Sequence, residues 1–176
     1  MALKTFYHGT DIDSAKEICK TQTVDVKRGS PRTDFGQGFY VTPDYNRAVK
    51  WACRKAGSRR NKAAVVTVIF DEDSAKPIIE YFLDDLRWGR FVINNRNGMQ
   101  YIRKVAFQEN NLDARYHITC GRIADLDVTD VADELNKSGK MLMSLEEILN
   151  KNYPLQYAFH TKEATEFIKK LSYRVV

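Results

Sequence analysis

Asp34-Phe35-Gly36-Gln37-Gly38-Phe39-Tyr40-Val41-Thr42 is the stretch on which the fold turns. Gly38 to Thr42 alternates as a short strand. Thr42-Pro43 then offers an N-cap followed by proline at the first helical position, so a helix is expected up to about Ala56, with Ala48, Trp51 and Ala52 on its inner face. Gly36 and Gly38 do not open a helix with a third glycine at the dinucleotide-fingerprint offset, which excludes a Rossmann-type phosphate loop. Taken alone, Tyr40 on such a strand reads as a core residue.

Before this stretch, Leu3 to Tyr7 reads as a strand ending at His8-Gly9-Thr10, and Asp13 to Cys19 as a short helix with an acidic start. A polar, basic segment from Lys20 to Arg32 follows. Beyond the stretch, Lys62 to Phe70 is the clearest strand, a nearly continuous Ala/Val run expected to be buried on both faces. Pro77 to Phe82 is a weaker strand. Asp84 or Asp85 caps a helix carrying Leu86, Trp88, Phe91 and Val92, closed by the turn residues Asn94 to Gly98. Tyr116 to Ile123 reads as a strand, Asp127 to Lys137 as a helix, and Ser144-x-x-Glu147 as a capping box. Leu155 to His160 is a strand, Thr161 caps a helix through Lys170, and Ser172 to Val176 forms the last strand. Strands interspersed with short helices, in no βαβ rhythm, make the class α+β. With no repeat and no Pro/Gly/Ser-rich linker, the 176 residues are expected to form one domain, 1–176.

Composition narrows the setting. The chain is 43% hydrophobic and 29% charged, and no apolar run is long enough for a bilayer. Met1 to His8 goes straight into a strand pattern rather than a secretory signal, so the expectation is a cytoplasmic protein without membrane partners. The three cysteines, Cys19, Cys53 and Cys120, are odd in number and never in C-x-x-C spacing, which argues against disulfides and zinc; no metal is expected. The net charge of +5 is unevenly placed, with Arg54, Lys55, Arg59, Arg60 and Lys62 in one segment. That run reads either as a solvated helix end or as a surface for nucleic acid or another acidic partner.

Three segments put polar or backbone-exposing residues where a strand ends: Tyr7-His8-Gly9-Thr10, Asp34 to Tyr40, and Gln156-Tyr-Ala-Phe-His160. Singly they are ordinary: His-Gly is a common turn, and His160 reads as a strand-end polar residue. In this order they resemble the ADP-ribosyltransferase superfamily in its diphtheria-toxin and poly-ADP-ribose-polymerase branch. The chain is most similar to a bacterial subgroup encoded beside small antitoxin-like genes, through Tyr7-His-Gly9, Asp34 to Thr42, Ala48-x-x-Trp-Ala52, Trp88-x-x-Phe-Val-x-x-Asn-Arg96, Gly121-x-x-Ala-Asp125 and Gln156-x-x-Phe-His-Thr161.

The resemblance implies a single-domain fold with split mixed β-sheets around an NAD⁺ cleft, flanked by short helices. It also implies NAD⁺ as co-substrate and mono-ADP-ribosylation of a macromolecule, protein or RNA/DNA, by a toxin or effector that has an antitoxin partner. His8 would hydrogen-bond the adenosine-side ribose, Gly9 would pair its backbone with the nicotinamide carboxamide, and Tyr40 would stack on the nicotinamide ring. Thr10 would line the same site. Gly36 and Gly38 would let the backbone approach the dinucleotide, with Asp34 fixing the loop and Phe35 walling the pocket. Most superfamily members place a glutamate where this chain has Gln156. Glutamine keeps the hydrogen bond to the nicotinamide ribose but not the charge, and a charge pair at ~4 Å is worth a few kcal/mol at a dielectric of ~20. Asp125, Glu163 and Glu109 are candidate substitutes for that carboxylate, and His8, Tyr40 and Gln156 the expected catalytic set. By helical spacing Trp51, Trp88 and Phe91 belong to the core, while Arg96 and Asp125 suit a salt bridge or a ligand wall equally. Two other readings remain: a catalytically silent NAD⁺- or nucleic-acid-binding module, and an NAD⁺ glycohydrolase. For nucleic acid, Tyr45, Tyr81 or Tyr101 would supply stacking surfaces.

Overall fold

The computed structural model describes residues 3–83, 85–97, 109–124 and 154–176. Strand β3 (Ala63–Asp71) runs through the middle of a three-stranded antiparallel sheet, between β1 (Leu3–Asp11) and β7 (Ile168–Val175). Its Ala/Val run is buried on both faces, as the continuous apolar pattern implies.

The second sheet has the order β2 (Phe39–Val41), β6 (Leu155–Phe159), β5 (Ile118–Arg122), β4 (Ile79–Phe82). Its first two pairings are antiparallel and the last is parallel. The architecture is therefore α+β, with one antiparallel and one mixed sheet. Aromatic rings close the space between them: Phe6 lies 4.8 Å from Tyr157 and Phe70 lies 5.1 Å from Phe159, centroid to centroid, in the tilted and edge-on arrangements that ring quadrupoles favour. The sheets are stitched where Tyr7 and Thr42 exchange backbone hydrogen bonds, N–H to O=C, of 2.8 and 3.0 Å.

Short helices flank the sheets. Helix α1 (Ile12–Thr21) starts at Asp11, whose carboxylate accepts from the Ser14 N–H at 3.0 Å, slightly earlier than the acidic start at Asp13 had suggested. Helix α2 (Tyr45–Arg59) is capped by Asp44, which accepts from the Arg47 N–H at 3.0 Å. Pro43 thus precedes the cap instead of occupying the first turn, and Thr42 spends its hydroxyl on the Leu155 carbonyl, 3.1 Å away. Ala48, Ala52 and Ala56, four residues apart, form the buried stripe of α2. Trp51 does not join them; it is 44% exposed, because a stripe of alanines draws the helix too close to β1 to leave room for an indole.

The short α3 (Glu72–Ala75) follows β3, capped by Asp71. Helix α4 (Asp85–Asn97) buries Trp88, Phe91 and Val92, as helical spacing required. It continues through Asn94 and Asn95 because both amides have partners: Asn94 donates to the Glu109 carbonyl at 2.8 Å, and Asn95 accepts from the Asn111 N–H at 2.8 Å. Thr161 does cap a helix, α5 (Lys162–Thr165), but it lasts one turn and β7 begins at Ile168 rather than at Ser172. The helix expected at 127–137, the capping box at Ser144, the Asp84 cap, the Gly98 turn, Tyr101 and Asp125 lie outside the described residues. No helix among the described residues is long and apolar enough to cross a membrane.

Candidate functional site

Side chains along a strand alternate between its faces, and backbone groups alternate between its edges. On β1 the N–H and C=O of Tyr7 point away from β3, towards Thr42. Those of Gly9, two residues on, point to the same edge, where no described strand continues the pairing. Gly9 therefore presents one donor and one acceptor to a cleft of about 1490 Å³ that opens between the two sheets beside α2. Its missing side chain is what lets α2 pack down: a Cβ there would sit 2.0 Å from the Ala48 carbonyl oxygen and 2.7 Å from the Ala52 nitrogen.

His8 occupies the opposite face of β1, its ring 4.3 Å from that of Phe39. Its Nδ1 lies 2.7 Å from the Tyr40 carbonyl oxygen. A carbonyl only accepts, so Nδ1 carries the proton and Nε2 is left as an acceptor. Burial pushes the His8 pKa down to about 4, against the opposing pull of the Tyr40 carbonyl, with Lys55 adding a smaller downward contribution. The imidazole is neutral at ordinary pH.

The Tyr40 hydroxyl fastens the loop preceding β2. It donates to the Gly36 carbonyl at 2.7 Å, accepts from the Phe35 N–H at 2.8 Å and meets the Thr33 hydroxyl at 2.8 Å. Gly36 needs its missing side chain, because it holds a φ of 85° in the left-handed region. Burial, and then the charge of Asp34, raise the Tyr40 pKa far above that of a free phenol, so the group is a fixed hydrogen-bonding post and not a proton donor to solvent.

Asp34 is the hub of the opposite wall. One oxygen accepts from the Arg96 Nε at 2.7 Å, and the other accepts from the Ala124 N–H at 3.0 Å and the Gln156 Nε2 at 2.6 Å. Arg96 also donates to the Ala124 carbonyl at 2.7 Å. The alternatives left by the sequence for Arg96 thus meet in one residue, which is ion-paired with Asp34 and lines the cleft. The second contact of Gln156 Nε2 is the Arg122 carbonyl at 3.4 Å. With only acceptors facing its nitrogen, the amide orientation is fixed, and Oε1 is the acceptor end turned away from Asp34.

His8, Gly9, Thr10, Asp34, Gly38, Tyr40 and Gln156 therefore line one cleft. Phe35 does not reach it: fully buried, it packs against Phe82 and Phe91 behind the Tyr40 ring. Gly36 also sits behind the surface, against Asn95 and Asn111. His160 is structural, as its strand-end position suggested; Nδ1 donates to the Gln37 carbonyl at 2.7 Å, Nε2 accepts from Thr119 at 2.9 Å, and burial lowers its pKa to about 4. Neither described candidate for the missing carboxylate lines the cleft: Glu109 is bound to Arg87 and Tyr116, and Glu163 sits in the first turn of α5. Among the described residues no cluster of three His, Cys, Asp or Glu could hold a metal ion.

Two features escaped the sequence reading. The carboxylate beside Gln156 is Asp34 itself, which no local spacing reveals across 122 residues. Arg47 and Lys50 join Arg54, Lys55 and Arg59 along the cleft, a row detectable as five cations and no acid over the whole of α2.

The chain belongs to a family described as a protein of unknown function, DUF3990, whose model matches residues 5–170 and so spans all three strand-end segments. Comparison with curated proteins and with solved structures finds no match.

Proposed function

We propose that the chain is an NAD⁺-dependent mono-ADP-ribosyltransferase, with the two-sheet cleft fold of that superfamily. The observation that carries this reading is the convergence of a neutral His8, the open backbone edge of Gly9, the ring of Tyr40 and the carbonyl of Gln156 on one cleft. Each offers what a different part of NAD⁺ requires. The Gly9 N–H and C=O complement a carboxamide, which is both acceptor and donor. The Tyr40 ring offers a π-face to the cationic pyridinium. Nε2 of His8 and Oε1 of Gln156 are acceptors for the hydroxyls of the two riboses.

In the reaction the bond between C1′ and the nicotinamide nitrogen breaks, and its electron pair leaves with nicotinamide. The acceptor nucleophile forms the new bond to C1′ and releases its proton. Gln156 orients the ribose without adding charge, and the carboxylate that touches it, Asp34, is already opposed by Arg96. The chain therefore relies on positioning more than on a counter-charge to the oxocarbenium ion. The bacterial toxin or effector role, and an antitoxin partner, follow from the resemblance of the motifs.

Incubation with NAD⁺ labelled in the adenylate, together with cell lysate, tests the proposal. Label transferred to a macromolecule, and lost in His8→Ala, is the expected result. Free ADP-ribose as sole product would make the chain a glycohydrolase, and intact NAD⁺ after prolonged incubation would sink the catalytic reading.

A further inference from the structure

All five cations of α2 fall on one side of the helix. Arg47, Lys50, Arg54, Lys55 and Arg59 line the cleft, Ala48, Ala52 and Ala56 are buried against the sheet, and the remaining flank carries the uncharged Tyr45, Val49, Cys53 and Gly57. No acid occurs between Tyr45 and Arg59. Arg59 is held by Asp11, but among the described residues no salt bridge engages Lys50, Arg54 or Lys55. In the middle of this row stands Trp51, 44% exposed, with the Arg54 guanidinium 5.2 Å from its ring centre. The chain's other tryptophan, Trp88, is 1% exposed and donates its indole N–H to the Arg122 carbonyl.

We infer that the α2 wall is the docking surface for the acceptor, and that the acceptor is single-stranded nucleic acid, with a base stacked on Trp51 and backbone phosphates along Lys50, Arg54 and Lys55. This rests on the transferase reading only for the word acceptor. The docking itself rests on the helix. A row of cations alone would suit any polyanion, but an exposed indole bracketed by basic side chains adds a flat face that a base can cover and an acidic peptide cannot use as well. The same wall borders His8 and Gln156, so a strand lying on it would bring its own nucleophilic groups to the reactive centre. The stacking surface is thus Trp51; of the tyrosines that the sequence had offered, Tyr45 packs edge-on to Tyr7 at 5.1 Å, Tyr81 packs against the core and does not line the cleft, and Tyr101 lies outside the described residues.

The test measures binding of the full chain to a fluorescein-labelled oligo-uridine 12-mer, without NAD⁺, by anisotropy and by tryptophan emission. Because Trp88 is enclosed, quenching on binding reports Trp51. The expected result is quenching that disappears in Trp51→Phe, affinity nearly kept in Trp51→Phe and reduced about tenfold in Trp51→Ala, and a salt slope that becomes shallower in Lys50→Ala/Arg54→Ala. Trp51→Ala binding as tightly as the parent, or absence of quenching, overturns the inference. Poly-glutamate competing at equal charge concentration, with the same dependence on Trp51, would overturn it in favour of an acidic protein. The two proposals fail separately: oligonucleotide binding by a chain that leaves NAD⁺ intact keeps the docking surface and removes the transferase, and NAD⁺ cleavage without oligonucleotide binding does the reverse.

Discussion

The two walls of the cleft are built on opposite physical plans. On one, Asp34, Arg96, Gln156, Tyr40 and the Ala124 backbone engage one another so fully that little hydrogen-bonding capacity is left, and what is left, such as Oε1 of Gln156, has a fixed direction. On the other, α2 offers long, solvated cations around an exposed indole. The first plan suits a small ligand whose atoms must be placed to within a fraction of an ångström. The second suits a partner recognised by charge and surface, where the side chains adapt to what arrives.

The contrast predicts that substitutions at closely packed or fully bonded positions damage the fold and that substitutions of the exposed cations leave it intact. Asp34→Ala should have the largest effect, about 3–5 kcal/mol in urea denaturation, because it removes the carboxylate that is ion-paired with Arg96 and leaves the Ala124 N–H and the Gln156 amide without their closest acceptor. Gly9→Ala should cost about 3 kcal/mol, read as a fall in Tm, since backbone atoms of α2 occupy the place of the new methyl and cannot rotate away. A Tm close to that of the parent would mean that α2 is not seated on β1 as described.

Acid should weaken the fold around two histidines. His8, half-buried, and His160, buried, are neutral with pKa values near 4, below the 6.5 of an exposed histidine, so the unfolded chain binds their protons more readily. Stability is then full above about pH 6.5 and is lost as pH falls towards 4, by roughly 3 kcal/mol for a shift of this size. His160→Gln should flatten that acid limb in denaturation curves recorded from pH 7 to pH 4.5.

Gln156→Glu, the change that restores the commoner residue, should destabilise by about 1–2 kcal/mol at pH 7, because it sets one carboxylate against another at Asp34. The sign with pH checks the cause. The introduced carboxyl would have a raised folded pKa, so the deficit should be absent near pH 4 and open as pH rises. Lys50→Ala and Lys55→Ala should be the mildest, within about 0.5 kcal/mol of the parent.

Much of the cleft's lining could be read from the sequence, but its wiring could not. The three strand-end segments are ordinary one by one, and His8, Gly9, Tyr40 and Gln156 stood out only through the order of those segments and its resemblance to a known superfamily. The Asp34 contacts join residues 62, 90 and 122 positions apart, and no periodicity encodes them. The second wall was misread for a local reason. Trp51 shares its helix with Ala48 and Ala52, and helical spacing with other apolar residues places it on their inner face; close packing against Gly9 reverses that, since the small residues go in and the large one is turned out. Similarly, the turn-forming asparagines 94 and 95 stay helical because their amides find buried partners.

The stitch at Tyr7 and Thr42 sets the register between the two sheets. Among the described strands it is where one sheet touches the other through the main chain, and it amounts to two hydrogen bonds instead of a ladder. The rest of the seam is made by side chains, with Phe6 on Tyr157, Phe70 on Phe159 and the His8 ring on the Tyr40 carbonyl. The main chain thus acts as a locating pin, and the packed rings carry the load that keeps the two layers at a constant spacing behind the cleft.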